Sequence, residues 1–202
     1  MASADLLETP GVVAPPMRMS AEDYLARERD PSRVSEPKSE RLGGWVYEMP
    51  GVSLTHDRIS ANVRRVFDRQ LDESAFHVSA GELKVGTSAT DYTYPDLSVI
   101  PEPVETLDQI RDVATNPLVI VEVLSPSNSR HDRERKAKAY RKFESLTDIL
   151  LISQDRPDVE HFHRVERRWV VDDIEPGMPL RLTGLPIELP FDVIYRGVEL
   201  DV

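Results

Sequence analysis

The sequence predicts a mixed α/β (α+β) fold in which a β-sheet is covered by helices. Short runs rich in β-branched residues, too short for helices, indicate strands buried on both faces. The clearest of these runs are residues 118–127 and 148–153. Apolar residues recur at helical spacing elsewhere, most clearly over residues 56–71, which indicates an amphipathic helix.

Length, charge and composition limit the classes of protein. The chain has 202 residues, a formal net charge of −11 and no cysteine, which excludes disulfides and thiolate metal sites. We expect a flexible, Pro-bearing arm over residues 1–17 and a single domain over residues 18–202. No apolar run approaches the ~20 residues of a membrane span and no signal peptide is recognisable, so we expect a cytoplasmic protein. The negative charge excludes a general nucleic-acid coating protein, but not a nuclease with local basic patches.

In the N-terminal half, helices and strands are predicted to alternate. The expected elements are a helix over 20–29, a strand over 40–49, a helix over 56–71, and strands over 76–85 and 94–100. Ser20 and Asp23 resemble a capping box at the start of the first helix, and Asp30-Pro31 ends it. Gly43-Gly44 predicts a tight turn or bulge inside the first strand.

The C-terminal half is predicted to be richer in strands. The expected elements are a surface loop with a short helix over 101–117, the strand at 118–127, a helix over 132–143, the strand at 148–153, a hairpin of 159–164 with 169–172, and a short strand over 180–182. Pro176, Gly177 and Pro179 exclude a regular helix directly after the hairpin, and residues 185–195 contain two prolines and have no clear period. His161 and His163 share one face of a strand, and we expect an exposed strand rather than a metal site because no third ligand is nearby.

Two acids stand in apolar strands. Glu122 lies inside the run at 118–127, and Asp96 lies near the start of the run at 94–100. An ionised carboxylate in a buried strand is costly unless a cation or hydrogen-bond donors meet it. Glu122 is therefore either a satisfied structural acid or a metal ligand at the edge of a sheet. Two close carboxylates are expected to share a proton or a divalent cation, and oxygen-only ligation suits magnesium or manganese.

The charged helix after Glu122 carries a second set of candidates. Asp132, Lys136 and Tyr140 are spaced four apart and lie on one helical face. Asp132 is a candidate N-cap, Lys136 is either its ordinary ion-pair partner or a cation that reaches the carboxylates, and Tyr140 is either a core aromatic or a catalytic group. Arg133 belongs to a positive stripe that is either a solvated face or a phosphate-contacting one, and His56 could also contact phosphate.

Together these residues resemble the Uma family of restriction endonucleases within the PD-(D/E)XK nuclease superfamily. The resemblance rests on Pro95-Asp96, on the sequence VEVLSPS at 121–127, and on Asp132, Lys136 and Tyr140. It covers roughly residues 17–165. It implies a restriction-endonuclease-like fold, with a central mixed β-sheet flanked by helices, and hydrolysis of phosphodiester bonds in DNA with magnesium or manganese as cofactor.

The resemblance also implies a role for each candidate. Asp96 and Glu122 match the metal-binding acids, the carbonyl of Val123 would complete the coordination, and Lys136 matches the lysine on the following helix. We expect substrate contacts from four further residues: Glu40, His56, Arg133 and Tyr140. Glu40 also matches an additional acid of the family.

Two departures from the family pattern keep alternatives open. Leu124 stands where the wider superfamily has a lysine, so a lysine from the helix must replace it or catalysis is impaired. Gly43-Gly44-Trp45 stands where the family often has Asp-Gly-Glu, so two acids are absent. The alternatives are a catalytically impaired module that binds nucleic acid or a protein partner, and a hydrolase of small phosphate esters. A homodimer is also expected, because two sites can cut two strands.

Overall fold

The computed structural model describes residues 15–87, 90–125 and 130–200, without the side chains of 130–132. Within these ranges the chain forms two mixed six-stranded sheets, a small two-stranded sheet and four α-helices, which confirms the mixed α+β class. The resemblance implied one central sheet, whereas the chain builds two. Most of the predicted arm, residues 1–14, lies outside the described residues.

Four α-helices are described, and polar N-caps precede the first two. They are α1 (Ala21–Glu28), α2 (Leu54–Gln70), α3 (Arg130–Tyr140) and α4 (Phe191–Ile194). The Ser20 side chain accepts a hydrogen bond from the backbone N–H of Asp23, and Ser53 accepts one from His56, so both helices start at an N-cap. Both helix predictions are confirmed. None of the helices in the described part of the chain has the length and apolar character needed to cross a membrane.

Fourteen short strands are described. In chain order they are β1 (Met17–Arg18), β2 (Ser39–Leu42), β3 (Trp45–Glu48), β4 (Phe76–Ser79), β5 (Lys84–Gly86), β6 (Tyr92–Thr93), β7 (Leu97–Pro101), β8 (Val113–Ala114), β9 (Val119–Leu124), β10 (Asp148–Ser153), β11 (Val159–Val165), β12 (Arg168–Ile174), β13 (Pro179–Arg181) and β14 (Glu188–Pro190). The first sheet has the order β1-β3-β2-β6-β5-β8, the second β12-β11-β10-β9-β7-β4, and β13 pairs with β14.

In the second sheet, β9 and β10 run parallel and every residue of both strands is buried. Alternate side chains of a strand point to opposite faces. Val119, Val121 and Val123 pack in the core that α2 covers. Ile120 and Leu124 pack in the core that contains Tyr140 of α3. Glu122 falls on the same face as Ile120 and Leu124, and therefore faces α3.

Three predictions of local structure are wrong. Residues 76–85 form two strands in different sheets, β4 pairing with β7 and β5 with β6 and β8. The short helix expected within 101–117 is replaced by β8, which lies parallel to β5. His161, expected on an exposed strand, is buried, with Nε2 2.8 Å from Asp148 Oδ1. In each case pairing with a segment distant in the sequence overrides the local pattern.

Candidate active site

Two side chains of α3 contact the carboxyl group of Glu122. The residue is 3% exposed, and the Tyr140 hydroxyl donates a hydrogen bond to its Oε1. Lys136 Nζ donates to its Oε2 at 3.0 Å. Because Lys136 and Tyr140 are four residues apart on one helical face, both reach the strand beneath at the same point. The predicted spacing thus brings both residues onto the buried acid.

Asp96 lies beside Glu122 because β7 and β9 pair. Leu97 stands opposite Val121, which places Asp96 next to the end of β9. Asp96 Oδ2 accepts a hydrogen bond from the backbone N–H of Val123 at 2.7 Å. Its Oδ1 lies 2.8 Å from His56 Nε2, which donates in the tautomer that carries the proton there. The first turn of α2 therefore orients this carboxylate.

Glu40 supplies a third carboxylate, from the other sheet. Its side chain is nearly buried, and its Oε1 accepts hydrogen bonds from Lys136 Nζ at 3.3 Å and from the backbone N–H of Tyr94 at 3.4 Å. Lys136 thus joins Glu40 of the first sheet to Glu122 of the second. These are the partners that the structure gives Lys136; the ordinary pair with Asp132 involves a side chain that lies outside the described residues.

Both Glu122 and Lys136 have raised pKa values, so both hold their protons more firmly than usual. The pKa of Glu122 is raised to about 7; burial is the largest cause, Lys136 opposes it, and the nearby carboxylates of Asp96 and Glu40 contribute to the rise. Burial alone would lower the pKa of Lys136, but the attraction of Glu122 and Glu40 outweighs it, so the lysine pKa is raised. Three carboxylates thus lie around one lysine, so negative charge is in excess in the cluster when all three are ionised.

Tyr140 shares this environment. Burial and the neighbouring Glu122 raise the pKa of its hydroxyl, which keeps the group protonated and able to donate. Tyr140 is fully buried in the core beneath α3 and also contacts Glu122. The two interpretations of Tyr140, core aromatic and site residue, are therefore compatible.

The carboxylates open into a cleft of about 560 Å³ between the two sheets. Its lining includes Glu40, Asp96, Glu122, Arg135 and Lys136. A second cleft, of about 760 Å³, adjoins the first and shares His56 and Asp96 with it. The site is therefore an open groove and not a narrow pocket.

The donor set suits a hard divalent cation, although the side chains do not already form a full coordination sphere. Among the described residues, no group of three or more His, Asp and Glu side chains is arranged to hold a metal ion. Asp96 and Glu122 offer carboxylate oxygens, and magnesium is commonly held by one or two carboxylates together with water and substrate. Each oxygen already accepts one hydrogen bond, but a carboxylate oxygen has a second lone pair. The coordination role of the Val123 carbonyl stays a prediction.

Arg133 is the candidate that the structure does not bring to the carboxylates. Its guanidinium contacts Glu160 at 3.4 Å and Ser153 at 3.3 Å, away from the cleft. Arg135 lines the cleft instead, with its guanidinium carbon 3.9 Å from the ring centroid of Tyr47. No spacing in the sequence could have identified this contact, because Tyr47 and Arg135 belong to elements far apart along the chain.

Comparisons with known proteins show the family to which the chain belongs. The model of the Uma2 family, described as "Putative restriction endonuclease", matches residues 21–193. The uncharacterized protein slr1290 of Synechocystis sp. is 32% identical over 92% of this chain and 95% of its own length. The uncharacterized protein sll1609 of the same organism is 30% identical over 81% of this chain and 91% of its own length.

A solved structure has the same fold. The crystal structure of a "putative nuclease belonging to DUF820" from Anabaena variabilis superposes with a TM-score of 0.70. It is 21% identical in sequence and covers 88% of this chain and 97% of that chain. This chain and that protein therefore share the arrangement of sheets and helices described above.

Proposed function

Because this chain belongs to the Uma2 restriction endonuclease family, we propose that it is a metal-dependent endonuclease that hydrolyses phosphodiester bonds in DNA. The observation that carries the proposal is the convergence of Glu40, Asp96 and Glu122 on Lys136 in an open cleft. An excess of carboxylates over cations is expensive in a protein interior unless a cation joins it. Such a cluster is the arrangement that a divalent ion and a phosphate diester would complete.

The cofactor would be magnesium or manganese, held by Asp96, Glu122 and the backbone carbonyl of Val123. When bound, such an ion supplies Lewis-acid stabilisation of the negative charge that develops on the phosphate. His56 and the Val123 N–H fix the two oxygens of Asp96, and Tyr140 fixes Oε1 of Glu122. These contacts hold the carboxylates in place before any ligand arrives.

Lys136 is the cation of the reaction centre. Its Nζ lies within hydrogen-bond distance of both Glu40 and Glu122, so its proton-bearing head is directed into the cluster. A fixed ammonium group beside a scissile phosphate offsets the charge of the transition state. Lys136 thus supplies from α3 the charge that Leu124 cannot supply from β9.

The rival functions differ in what the cleft does. A catalytically impaired module would bind nucleic acid or a protein partner with the same residues and would not cleave. A hydrolase of small phosphate esters would need a narrow pocket, whereas two adjoining clefts meet at His56 and Asp96. The homodimer expected from the sequence stays a prediction.

Magnesium binding and cleavage test the proposal together. Titration calorimetry at low salt should detect magnesium binding to the wild type and none to Glu122→Gln, while Asp192→Asn, which removes an exposed acid far from the cleft, binds as the wild type does. Plasmid and single-stranded DNA should be cut by the wild type and by Asp192→Asn with magnesium, and not by Glu122→Gln or Asp96→Asn. Magnesium binding without any cleavage would favour the impaired module, and cleavage that survives in Glu122→Gln would contradict the assigned site.

A further inference from the structure

We propose that the chain forms a symmetric homodimer through β12, whose outer edge pairs antiparallel with β12 of a second copy. A dimer expected from two cleavage sites could use any surface, whereas the geometry and the charges of this strand select one. The dimer is independent of the proposed activity, because the mass of the protein in solution is measured without magnesium or DNA.

β12 is the longest strand at an edge of the two six-stranded sheets. Among the described residues, the edge strands of the first sheet, β1 and β8, have two residues each, and β4 at the other edge of the second sheet has four. β12 has seven residues and pairs, within the same part of the chain, with β11 alone. Its sequence, RWVVDDI, contains no proline or lysine, the residues that often protect an edge. Such an edge presents a row of backbone N–H and C=O groups with which another strand can pair.

Most side chains of β12 are exposed to solvent. Five of its seven residues are exposed in the described structure. Val170 and Val171 are 38% and 52% exposed, and as successive residues they point to opposite faces of the sheet. Pairing with a further strand would therefore remove apolar surface from water on both faces.

The sequence of β12 is complementary to itself when it is reversed. Facing residues of an antiparallel pair lie on the same side of the sheet, so a two-fold axis perpendicular to the sheet passes through one residue that faces its own copy. With the axis at Val170, Arg168 faces Asp172 of the second copy. Trp169 then faces Val171, so apolar residues meet at the centre and opposite charges meet outside them. Symmetry forms each of these contacts twice.

Other arrangements of the two strands lose the charge pairs. An axis moved one residue forward sets Arg168 opposite Ile174, and one moved one residue back sets it opposite Val170. A parallel arrangement in register places Arg168 beside its own copy and Asp172 beside its own copy, and facing like charges are destabilising. Charge therefore favours the antiparallel register with the axis at Val170.

The charges also explain why the occupant of this edge is a second copy of the chain. Each chain has a formal net charge of −11, so two copies repel one another through acidic surfaces. Two charges of each sign stand along this segment, positive at its start and negative near its end: Arg167, Arg168, Asp172 and Asp173. Reversed pairing brings the positive end of one copy against the negative end of the other, and the local interaction becomes attractive.

Asp172 can take part in this pairing although it already contacts β11. Its Oδ2 lies 2.9 Å from His163 Nε2, and its side chain is still 56% exposed. A carboxylate has two oxygens and about four lone-pair sites, so it can accept from a histidine and from an arginine together.

Sedimentation equilibrium over a range of protein concentrations tests the dimer. The wild type should pass from the mass of one chain to twice that mass as the concentration rises. Arg168→Asp and Asp172→Arg each set like charges opposite one another at both symmetric contacts, so each should raise the dissociation constant about tenfold or more. An equimolar mixture of these two variants should dimerise again, because every contact then joins an acid to an arginine.

Two further variants complete the test. Val170→Lys places two ammonium groups at the axis and should also give a monomer. Asp192→Arg reverses an exposed acid outside β12 and is the matched control, which should dimerise as the wild type does. Melting temperatures from circular dichroism should stay close to that of the wild type, because the substituted side chains are exposed.

Three results would overturn the inference. If the wild type stays monomeric at all concentrations, the edge is not an interface between copies, whatever else covers it. If a dimer survives in Arg168→Asp and in Val170→Lys, the copies meet on another surface. If both charge variants are monomeric and their mixture does not dimerise, the strands do not pair in the proposed register. Failure of the proposed function is distinguishable from all three, because it appears as lost magnesium binding or cleavage and leaves the mass unchanged.

Discussion

Two buried acids on adjacent parallel strands, Asp148 and Glu122, differ in almost everything except burial. Asp148 begins β10 opposite Val119, and Glu122 lies near the end of β9 opposite Leu151. Their side chains are 0% and 4% exposed. An ionised carboxylate is costly in either position unless it is compensated. Asp148 and Glu122 differ in how their negative charge is compensated.

Asp148 is surrounded by donors. It accepts hydrogen bonds from His161 Nε2 at 2.8 Å, from the backbone N–H groups of Thr183 at 2.8 Å and Gly184 at 3.0 Å, and from Thr147 Oγ1 at 2.7 Å. Burial alone would raise the pKa of Asp148, but these hydrogen bonds outweigh burial and lower it. The carboxylate stays ionised and fastens residues 183 and 184 to the start of β10. It is a structural acid.

Glu122 is surrounded by other acids. Its pKa is raised to about 7, first by burial and also by Asp96 and Glu40, although Lys136 and Tyr140 oppose the rise. The comparison shows that burial alone does not distinguish an acid whose charge is compensated from one whose charge is in excess. The direction of the pKa shift distinguishes the two acids, because it depends on whether the surroundings compensate the negative charge or leave it in excess.

The largest expected effect is on the structural acid. Asp148→Asn should lower the free energy of unfolding by about 3–5 kcal/mol, because the buried group loses its charge and one of its two acceptor oxygens becomes an NH2 group that faces hydrogen-bond donors. Urea unfolding at pH 7 measures this, with the exposed Asp192→Asn as control. Since the folded pKa is lowered, this contribution is present above about pH 4 and is lost as the pH falls through the folded value. A loss below about 1 kcal/mol would remove the distinction between the two acids.

The second largest effect is expected when Lys136, the cation shared by Glu40 and Glu122, is removed. Lys136→Met should lower the free energy of unfolding by about 3 kcal/mol at pH 8 in EDTA, because Glu40 and Glu122 are left buried without it. The loss should shrink at pH 5, where a proton on Glu122 replaces the positive charge. Chemical denaturation at the two pH values gives the difference, and cleavage of DNA should disappear. An equal loss of unfolding free energy at both pH values would contradict the excess of negative charge around Lys136.

The pH dependence of stability is the third effect. The pKa of Glu122 rises from 4.5 to about 7 on folding, so the folded protein binds more protons between these values and stability falls as the pH rises through this window. The shift of 7 − 4.5 = 2.5 units corresponds to roughly 3 kcal/mol, complete above pH 7. The decline should be absent in Glu122→Gln. Parallel stability curves for the two proteins in EDTA from pH 4.5 to 8 would refute the assignment.

The smallest effect concerns the hydroxyl that faces Glu122. Tyr140→Phe removes a hydrogen bond that lowers the pKa of Glu122, so this pKa should rise further. We expect a loss of about 1 kcal/mol at pH 8 and a pH–rate profile for cleavage displaced upward by about one unit. Single-turnover rates across the pH range measure the displacement. An unchanged profile would mean that Tyr140 serves only as packing.

The sequence by itself determined much of the local structure and the identity of the central residues. The Ser20 cap located the start of α1, apolar periodicity located α2, and apolar runs located β9 and β10. These signals are short-range, since a cap or a buried run depends on residues within a few positions. The four-residue spacing of Lys136 and Tyr140 likewise sufficed to place both on one face, above the strand that carries Glu122.

The tertiary structure decided everything that depends on distant pairing. Glu40 meets Lys136 across 96 positions of sequence. Arg135 and not Arg133 enters the cleft, and His161 is buried against Asp148. The direction of each pKa shift also belongs to this level, because it depends on which charges and donors surround a buried group. Local sequence encodes caps, turns and faces, whereas the neighbours of a buried charge are fixed only when separate elements pack together.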